Sequence, residues 1–269
     1  MDSDRGSAPL AGRRIALTGA AGRDTGLAAA IAGVGGVPRE FPLIAFAPAA
    51  PAGPLDRAVA ELSRYDWILF TSATAPAFVA DRLPGTRPAR AFPKIAAVGP
   101  ATARAVETAL ATPDFVAVTH TAAAMADELI AAGIRGRLLL PAADIASSDL
   151  AERLRAAGAE VEMVTAYHTG PGDGGAGLAA AIDGGEVDAV LLASASAARG
   201  FANALAARPG RPPAEHLPTI LCIGPSTASA ARAIGLDVAA VAHEHTREGL
   251  LRELIGWFEH HPGGSHASV

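Results

Sequence analysis

The sequence predicts an α/β protein with two similar domains, each built on a parallel sheet flanked by helices. Short apolar runs of strand length alternate with alanine-rich stretches of helical period along the whole chain. Three short, turn-forming segments of the first half also return in the second half. At 269 residues the chain is long enough for two domains that each bury a core. Alternation, duplication and length favour the same fold class.

The duplication also gives the spacing between the two copies. Its three pairs of segments begin at residues 67 and 189, 95 and 220, and 15 and 138, so the offsets are 122, 125 and 123. Each segment lies near the predicted end of a strand. Duplicated loops at strand ends indicate two similar domains that face one ligand.

The alternating pattern predicts ten strands and nine helices in two matching series. In the first half we predict strands at 14–18, 39–46, 67–71, 95–98 and 115–118, and helices at 25–33, 55–64, from 75, from 100 and at 121–132. In the second half we predict strands at 138–140, 160–167, 189–193, 220–223 and 238–241, and helices at 149–157, 197–207, from 225 and at 247–259.

Two linkers follow the second strand of each copy. The first contains Pro48, Pro51 and Pro54, and the second is the glycine-rich segment 170–177. The first strand and helix can pack with their own copy or with the far end of the chain, and the pattern alone allows both.

Composition and charge exclude several kinds of function. The net charge of −5, the pI near 5.9 and the aromatic content of 4% argue against nucleic acid binding. Lys94 is the only lysine and is followed by Ile95, which excludes a phosphate-binding P-loop. Arg90, four residues before it, excludes a Tyr-x-x-x-Lys oxidoreductase pair.

Neither a membrane anchor nor a secretion signal is predicted. Met1–Gly12 has acidic residues and no apolar core, and no apolar stretch approaches the roughly 18 residues that span a bilayer. The single cysteine, Cys222, lies in an apolar run and is typical of a small core residue. We therefore expect a cytoplasmic protein without disulfides.

Five segments resemble those of the uroporphyrinogen-III synthases, and together they extend over almost the whole chain. They are Asp66–Ser72, Ala97–Ala103, Leu150–Thr169, Ser194–Phe201 and Ile223–Ala228. The resemblance implies two flavodoxin-like domains with parallel sheets, joined by a two-strand linker, with a ligand cleft between them. Domain one would comprise residues 1–44 and 170–269, and domain two residues 45–169.

This family converts hydroxymethylbilane, a linear tetrapyrrole, to uroporphyrinogen III. The reaction loses water, inverts the last pyrrole ring and closes the macrocycle, so the enzyme is a cyclising hydro-lyase of heme biosynthesis. The resemblance implies no cofactor and a transient contact with hydroxymethylbilane synthase, which supplies the substrate. A monomer is the simplest expectation.

The resemblance points to Tyr167 as the catalytic residue, because it matches the family's tyrosine after the second strand of this copy. A neutral phenol can donate a proton to a departing hydroxyl. The alternative is a half-buried tyrosine at a strand end, with a purely structural role.

Nine further residues are expected to contact the substrate's eight carboxylates. Hydroxyls and helix N-termini can bind carboxylates without many basic side chains. Arg199 can pair with a carboxylate or lie on a solvated helix face, and the hydroxyls can be ligand donors or helix caps. The hydroxyls belong to Thr18, Thr71, Ser72, Thr74, Thr102, Ser194, Ser196 and Thr227.

Some loop residues depart from the family or resemble other sites. Gly19 and Ala142 stand where many members have arginine, and Asp144 adds a negative charge nearby. His243 and His245 are spaced like metal ligands, but no third ligand is close in sequence. The loop 18–26 resembles a phosphate-binding glycine loop without its usual lysine. We predict no metal and no cofactor.

Two alternatives to the synthase stay open. The chain can be a diverged relative with the same fold that acts as a different cyclase or dehydratase. It can also be a non-catalytic sensor, since two domains that close on a small molecule can report its presence. Binding without turnover would distinguish the sensor.

Overall fold

A computed structural model describes residues 8–84, 92–208 and 217–262. The chain divides into two compact units, Met1–Ala45 together with Gly170–Val269, and Phe46–Thr169. We refer to the first, discontinuous unit as domain one and to the second as domain two.

Strands and helices alternate through both domains. The strands are β1 (Arg14–Leu17), β2 (Val37–Glu40), β3 (Ile44–Pro48), β4 (Trp67–Phe70), β5 (Lys94–Ala97), β6 (Phe115–Val116), β7 (Arg137–Ala143), β8 (Glu160–Pro171), β9 (Ala189–Leu192), β10 (Thr219–Cys222) and β11 (Ala240–Val241). The helices are α1 (Thr25–Gly33), α2 (Pro54–Ala60), α3 (Ala75–Ala80), α4 (Pro100–Ala109), α5 (Ala122–Ala131), α6 (Asp149–Ala156), α7 (Gly175–Asp183), α8 (Ala195–Ala206), α9 (Pro225–Ala233) and α10 (Arg247–His260).

The sheet of domain one is assembled from both ends of the chain. Its order is β11-β10-β9-β1-β2, and all four strand pairs are parallel. Ile15 of β1 lies opposite Ala189 of β9. The first strand therefore packs with the far end of the chain, which decides the question that the sequence left open.

The sheet of domain two repeats this order. It runs β3-β8-β7-β4-β5-β6, and the pairs from β8 to β6 are parallel. If β7 and β8 are counted as the first two strands of this copy, both sheets have the doubly-wound order 2-1-3-4-5. This confirms the α/β fold class with parallel sheets.

The central strands are buried on both faces, as a parallel sheet covered by helices requires. All four residues of β9 and of β10 are buried. Cys222, at the end of β10, is fully buried, and burial raises the pKa of its thiol to about 11. The thiol is thus a protonated core group.

The predicted strand 39–46 is wrong, because this segment forms two strands in two different sheets. β2 ends at Glu40 and β3 begins at Ile44. Pro42 lies between them and has no backbone N–H to donate to a ladder. Its carbonyl accepts a hydrogen bond from the N–H of Gly174 at 2.8 Å.

Helix α7 was not predicted, since its start lies in the segment 170–177 that we interpreted as a flexible linker. The glycines there allow close packing. A Cβ on Gly172 would lie 2.2 Å from the carbonyl oxygen of Pro42, and one on Gly174 would lie 2.5 Å from backbone atoms of Phe41 and Pro42. Glycine content therefore marks a tight crossing of chain segments here.

At the edge of the domain one sheet opposite β2, strand β11 has only two residues of the predicted 238–241.

Candidate functional site

The predicted site residues follow the carboxyl ends of parallel strands in each domain, where open α/β sheets bind ligands. In domain two they follow β4 and β5 and lie near the end of β8. In domain one they follow β1, β9 and β10. We describe the two edges one at a time.

Tyr167 and Ser72 form a hydroxyl pair at the edge of domain two. The phenolic oxygen of Tyr167 lies 3.1 Å from Ser72 Oγ. The tyrosine ring is 5% exposed, packs edge-on against Phe46 and stacks on Phe78, with both centroid distances 5.3 Å. Ser72 is half-buried. Packing fixes the ring, so the hydroxyl has a defined place beside Ser72.

A β-bulge positions this tyrosine. β7 and β8 pair regularly up to Ala142 and Thr165, after which Ala143 pairs with Tyr167. Ala166 is the extra residue, and both it and Tyr167 face the same apolar core. In a regular strand these neighbours would point to opposite faces, so the bulge turns the tyrosine toward the core.

Ser72 and Ser194 occupy equivalent turns. The backbone N–H of Ala75 donates to Ser72 Oγ at 3.3 Å, and that of Ala197 donates to Ser194 Oγ at 3.1 Å. Ser194 is therefore the N-cap of α8, one of the roles that the sequence allowed, whereas Ser72 lies two residues before Thr74, the N-cap of α3, and accepts the first N–H of that helix. Ser72 differs from Ser194 by its additional bond to Tyr167.

Thr102 and Thr227 are the most distinctive hydroxyls of the two edges. Each is the third residue of its helix, α4 or α9, and each is 4% exposed. Within the described ranges neither side chain has a hydrogen-bond partner, and neither oxygen is sealed from solvent. The glycine before each helix provides no side-chain cap. Each hydroxyl can therefore bond water or a ligand at the start of its helix.

The remaining predicted residues have varied surroundings. Thr18 is 1% exposed and donates to the carbonyl of Leu191 at 2.7 Å, so its hydroxyl is used between β1 and β9. Arg199 is exposed and donates to Ser196 Oγ at 3.0 Å, within the first turn of α8. Thr71 is half-buried and Thr74 is buried, and in the described part of the chain neither hydroxyl bonds another group.

The departures at Gly19 and Ala142 have structural reasons. A Cβ on Gly19 would lie 2.1 Å from Asp24 Oδ2, the atom that accepts the N–H of Gly19 at 3.1 Å. Asp24 is also bound by Arg247 Nε at 3.2 Å. The Asp24 carboxylate therefore occupies the loop that resembles a phosphate-binding loop. Ala142 is 3% exposed, so an arginine there would have to leave a buried position of β7.

Asp144 is hydrogen-bonded within domain two. Its Oδ2 lies 3.0 Å from His168 Nδ1, and its Oδ1 accepts the N–H of Thr169 at 3.0 Å. The hydrogen bond from His168 and the one from Thr169 lower the pKa of this carboxyl. The Asp144 carboxylate therefore binds residues of β8.

The sequence prediction missed a second duplicated group, the dipeptides His120-Thr121 and His245-Thr246. Their offset is 125 (245 minus 120), the same as that of Gly99 and Gly224. This common offset was the available signal. His243 and His245 form no metal site, since no cluster of three potential His, Cys, Asp or Glu ligands occurs among the residues described.

None of the described helices is both long enough and apolar enough to span a bilayer.

Comparisons with known proteins give one family. The HEM4 family model, described as uroporphyrinogen-III synthase HemD, matches residues 26–252. A uroporphyrinogen-III synthase of Synechococcus elongatus is 26% identical over 255 residues, which are 93% of this chain and 97% of that protein.

Two solved structures with this fold are also similar. A mutant uroporphyrinogen III synthase from Thermus thermophilus superimposes with a TM-score of 0.58 and 22% identity, covering 93% of this chain and 99% of that one. The corresponding synthetase from Helicobacter pylori gives a TM-score of 0.57 and 14% identity, covering 89% and 97%. At these identities the structures show the fold.

Proposed function

We propose that this chain, which belongs to the uroporphyrinogen-III synthase family, converts hydroxymethylbilane to uroporphyrinogen III. The family match over residues 26–252 is the observation that carries this function. We also propose that it is a cyclising hydro-lyase, that it is a cytoplasmic monomer and that it transiently contacts hydroxymethylbilane synthase.

Substrate carboxylates bind at the two sheet edges through hydroxyls and backbone N–H groups. Thr102 and Thr227 support this, because each is a buried hydroxyl without a partner in the described structure at an uncapped helix start. The helix dipole adds partial positive charge at that end. An acidic protein with one lysine can bind a polyanion in this way.

Tyr167 provides the proton for the departing hydroxyl. The C–O bond of the substrate's hydroxymethyl group breaks, its electron pair stays on oxygen, and the phenolic proton completes the water. The ring carbon of the last pyrrole that already carries the chain then bonds the freed methylene carbon, its bond to the chain breaks, and the unsubstituted carbon of the same ring bonds the released chain methylene, which inverts the ring and closes the macrocycle. That last carbon loses one proton, which restores the phenol. Ser72 orients the phenolic O–H, from 3.1 Å away.

Holding the two ends of a flexible substrate together supplies much of the rate. Correct orientation contributes about 7–11 kcal/mol to the lowering of a barrier. Donors at fixed strand ends suit this task, because a parallel sheet keeps its loops in register.

A coupled assay with hydroxymethylbilane synthase tests the function. The porphyrinogens are oxidised and the type I and type III isomers are separated by chromatography. We expect type III product in excess over the type I isomer that forms by spontaneous closure. Only type I product at high enzyme concentration would contradict the proposal.

Matched threonine variants test the binding edges. Thr102→Val and Thr227→Val keep the shape and remove the hydroxyl, so we expect KM to rise about tenfold for each. Thr108→Val in α4 is the control, because that exposed hydroxyl bonds only the carbonyl of Arg104 in its own helix. An equal effect of all three substitutions would argue against carboxylate binding by Thr102 and Thr227.

A further inference from the structure

Two histidines outside the predicted site have the same surroundings in the two domains. His120 precedes α5 and His245 precedes α10. Both are exposed, and neither imidazole makes a hydrogen bond or an ion pair with any described residue. His168, by contrast, is bound to Asp144, and His260 and His261 lie against carbonyl oxygens of their own helix.

Each imidazole packs on the glycine that precedes α4 or α9. A Cβ built on Gly99 would lie 3.0 Å from Cγ and Cδ2 of His120, and one on Gly224 would lie 3.2 Å from the same atoms of His245. The φ angles of these glycines, 170° and −174°, are extended values that any residue adopts. A methyl group at either position would therefore require the histidine ring to shift by a few tenths of an ångström.

The backbone around the two histidines is also duplicated. The N–H of Thr121 donates to the carbonyl of Thr119 at 2.7 Å, and that of Thr246 donates to the carbonyl of Glu244 at 2.8 Å, so each histidine is the central residue of a γ-turn. The hydroxyls of Thr121 and Thr246 then cap α5 and α10. The turn and the cap thus fix the backbone of both histidines at the carboxyl edges of the sheets.

Different devices keep the two loops in place. In domain two, Glu128 accepts the N–H groups of Val118 at 2.8 Å and Thr119 at 3.0 Å. In domain one, the carbonyl oxygen of Glu244 occupies the space that a Cβ on Gly249 would need, and the Glu244 side chain pairs with Arg252. The same imidazole placement thus recurs on different supports.

We propose that His120 and His245 are substrate-binding residues, and that each donates an imidazole N–H to a carboxylate bound at the start of α4 or α9. The inference rests on the proposed synthase function and names the residues that complete its two anion subsites. Each subsite combines the exposed imidazole with the buried hydroxyl of Thr102 or Thr227 and the uncapped N–H groups of the same helix turn.

Kinetics of His120→Phe and His245→Phe test the proposal. Phenylalanine keeps a ring over the glycine and removes the N–H donors. We expect KM to rise about tenfold for each variant, with kcat within about twofold and an unchanged melting temperature. His261→Phe, which alters a ring stacked on Trp257 instead, should leave KM unchanged. Wild-type KM in both variants would overturn the inference.

The glycines provide an independent variant. Gly99→Ala places a methyl group against the His120 ring and displaces it, so KM should rise as in His120→Phe. In a His120→Ala background the ring is absent, and Gly99→Ala should then add less than about twofold to KM. Additive effects of the two substitutions on KM would show that Gly99→Ala acts independently of the imidazole. That result would overturn the claim that the methyl group raises KM by displacing the His120 ring.

Failure of the two proposals can be distinguished. Type III product from the wild type with unchanged KM in the histidine variants would remove the inference and leave the synthase function. If the wild type yields only type I product, the function is wrong, and binding of uroporphyrin III by calorimetry decides the inference. Weaker binding of uroporphyrin III by the double histidine variant than by the wild type would support the inference. Equal binding by the two proteins, or no binding by the wild type, would overturn the inference.

Discussion

The two serine turns have the same backbone role and different surroundings. Ser72 and Ser194 both accept the N–H of the third residue after them, but only Ser72 also bonds a tyrosine. The second strands of the two copies also differ. β8, which carries Tyr167, has 12 residues and a bulge, whereas its counterpart β2 has four residues. Duplication thus accounts for the two similar serine turns, and the lengthened strand accounts for a phenol beside only one of them.

The largest expected effect separates Tyr167 from Ser194. Tyr167→Phe removes the proton donor and keeps the packing, so we expect kcat to fall about a hundredfold. Ser194→Ala removes a cap, which costs about 1 kcal/mol of stability, and should change kcat less than about threefold. Single-turnover rates of product formation measure both. An equal loss of kcat in the two variants would place the chemistry in both domains.

A second effect concerns the third residue of α5 and of α10, the helices that follow the edge strands β6 and β11. A Cβ on Gly249 would lie 2.1 Å from the carbonyl oxygen of Glu244, whereas domain two has Ala124 at the matching place, 125 residues earlier. Gly249→Ala should therefore lower the free energy of unfolding by about 2 kcal/mol. Ala124→Gly should cost about 1 kcal/mol or less. Urea titrations of both variants would reveal whether the supports really differ.

A smaller effect concerns the aspartates at the opposite, amino-terminal edges of the sheets. Asp188 accepts the N–H of Arg14 at 2.6 Å, and Asp66 accepts that of Arg137 at 2.8 Å. Arg14 also pairs its guanidinium with Asp188 at 2.8 Å, while that of Arg137 lies 3.2 Å from Glu162.

Asp188→Asn should for this reason destabilise the protein more than Asp66→Asn, by about 1 kcal/mol. Thermal unfolding of the two variants at neutral pH and low salt provides the comparison. Equal melting temperatures would mean that the guanidinium of Arg14 adds nothing to the backbone bond.

The smallest effect depends on pH. Hydrogen bonds from the backbone of Thr119 and Val118 lower the pKa of Glu128 from its ordinary value of 4.5. A carboxyl with a lowered folded pKa stabilises the fold above its unfolded pKa and loses this contribution as pH falls through the folded one. The wild type should therefore have a higher melting temperature than Glu128→Gln near pH 6. The difference between the two melting temperatures should shrink below about pH 4.5.

Glu253→Gln is the matched control, since Glu253 lies 125 residues after Glu128 (253 minus 128) and accepts no such backbone bonds from the described residues. Melting curves between about pH 6 and pH 3 compare the three proteins. A pH-independent difference for Glu128→Gln would assign its effect to helix propensity or packing.

The sequence predicted the fold class because parallel strands buried on both faces leave a strong pattern of apolar runs. It did not reveal the break at Pro42 or helix α7, since both depend on contacts between segments far apart in the chain. The prediction placed hydroxyls at strand ends correctly, but the internal bond of Thr18 and the partner-free burial of Thr102 depend on neighbours across the sheet. His120 and His245 were overlooked because each ring packs on a glycine about 20 residues away, a contact that sequence spacing does not show.

The pairing of β1 with β9 sets an order for folding during synthesis. Ala189 lies 174 residues after Ile15, its partner (189 minus 15), so the first strand emerges from the ribosome long before its neighbour exists. Domain two is continuous from Phe46 to Thr169 and can fold as soon as it is translated. β2 is available to β1 from residue 40 on, but the edge of β1 that later pairs with β9 must meanwhile stay unpaired. A slow translation step after residue 169 would therefore prolong the stage most exposed to aggregation and to chaperone binding.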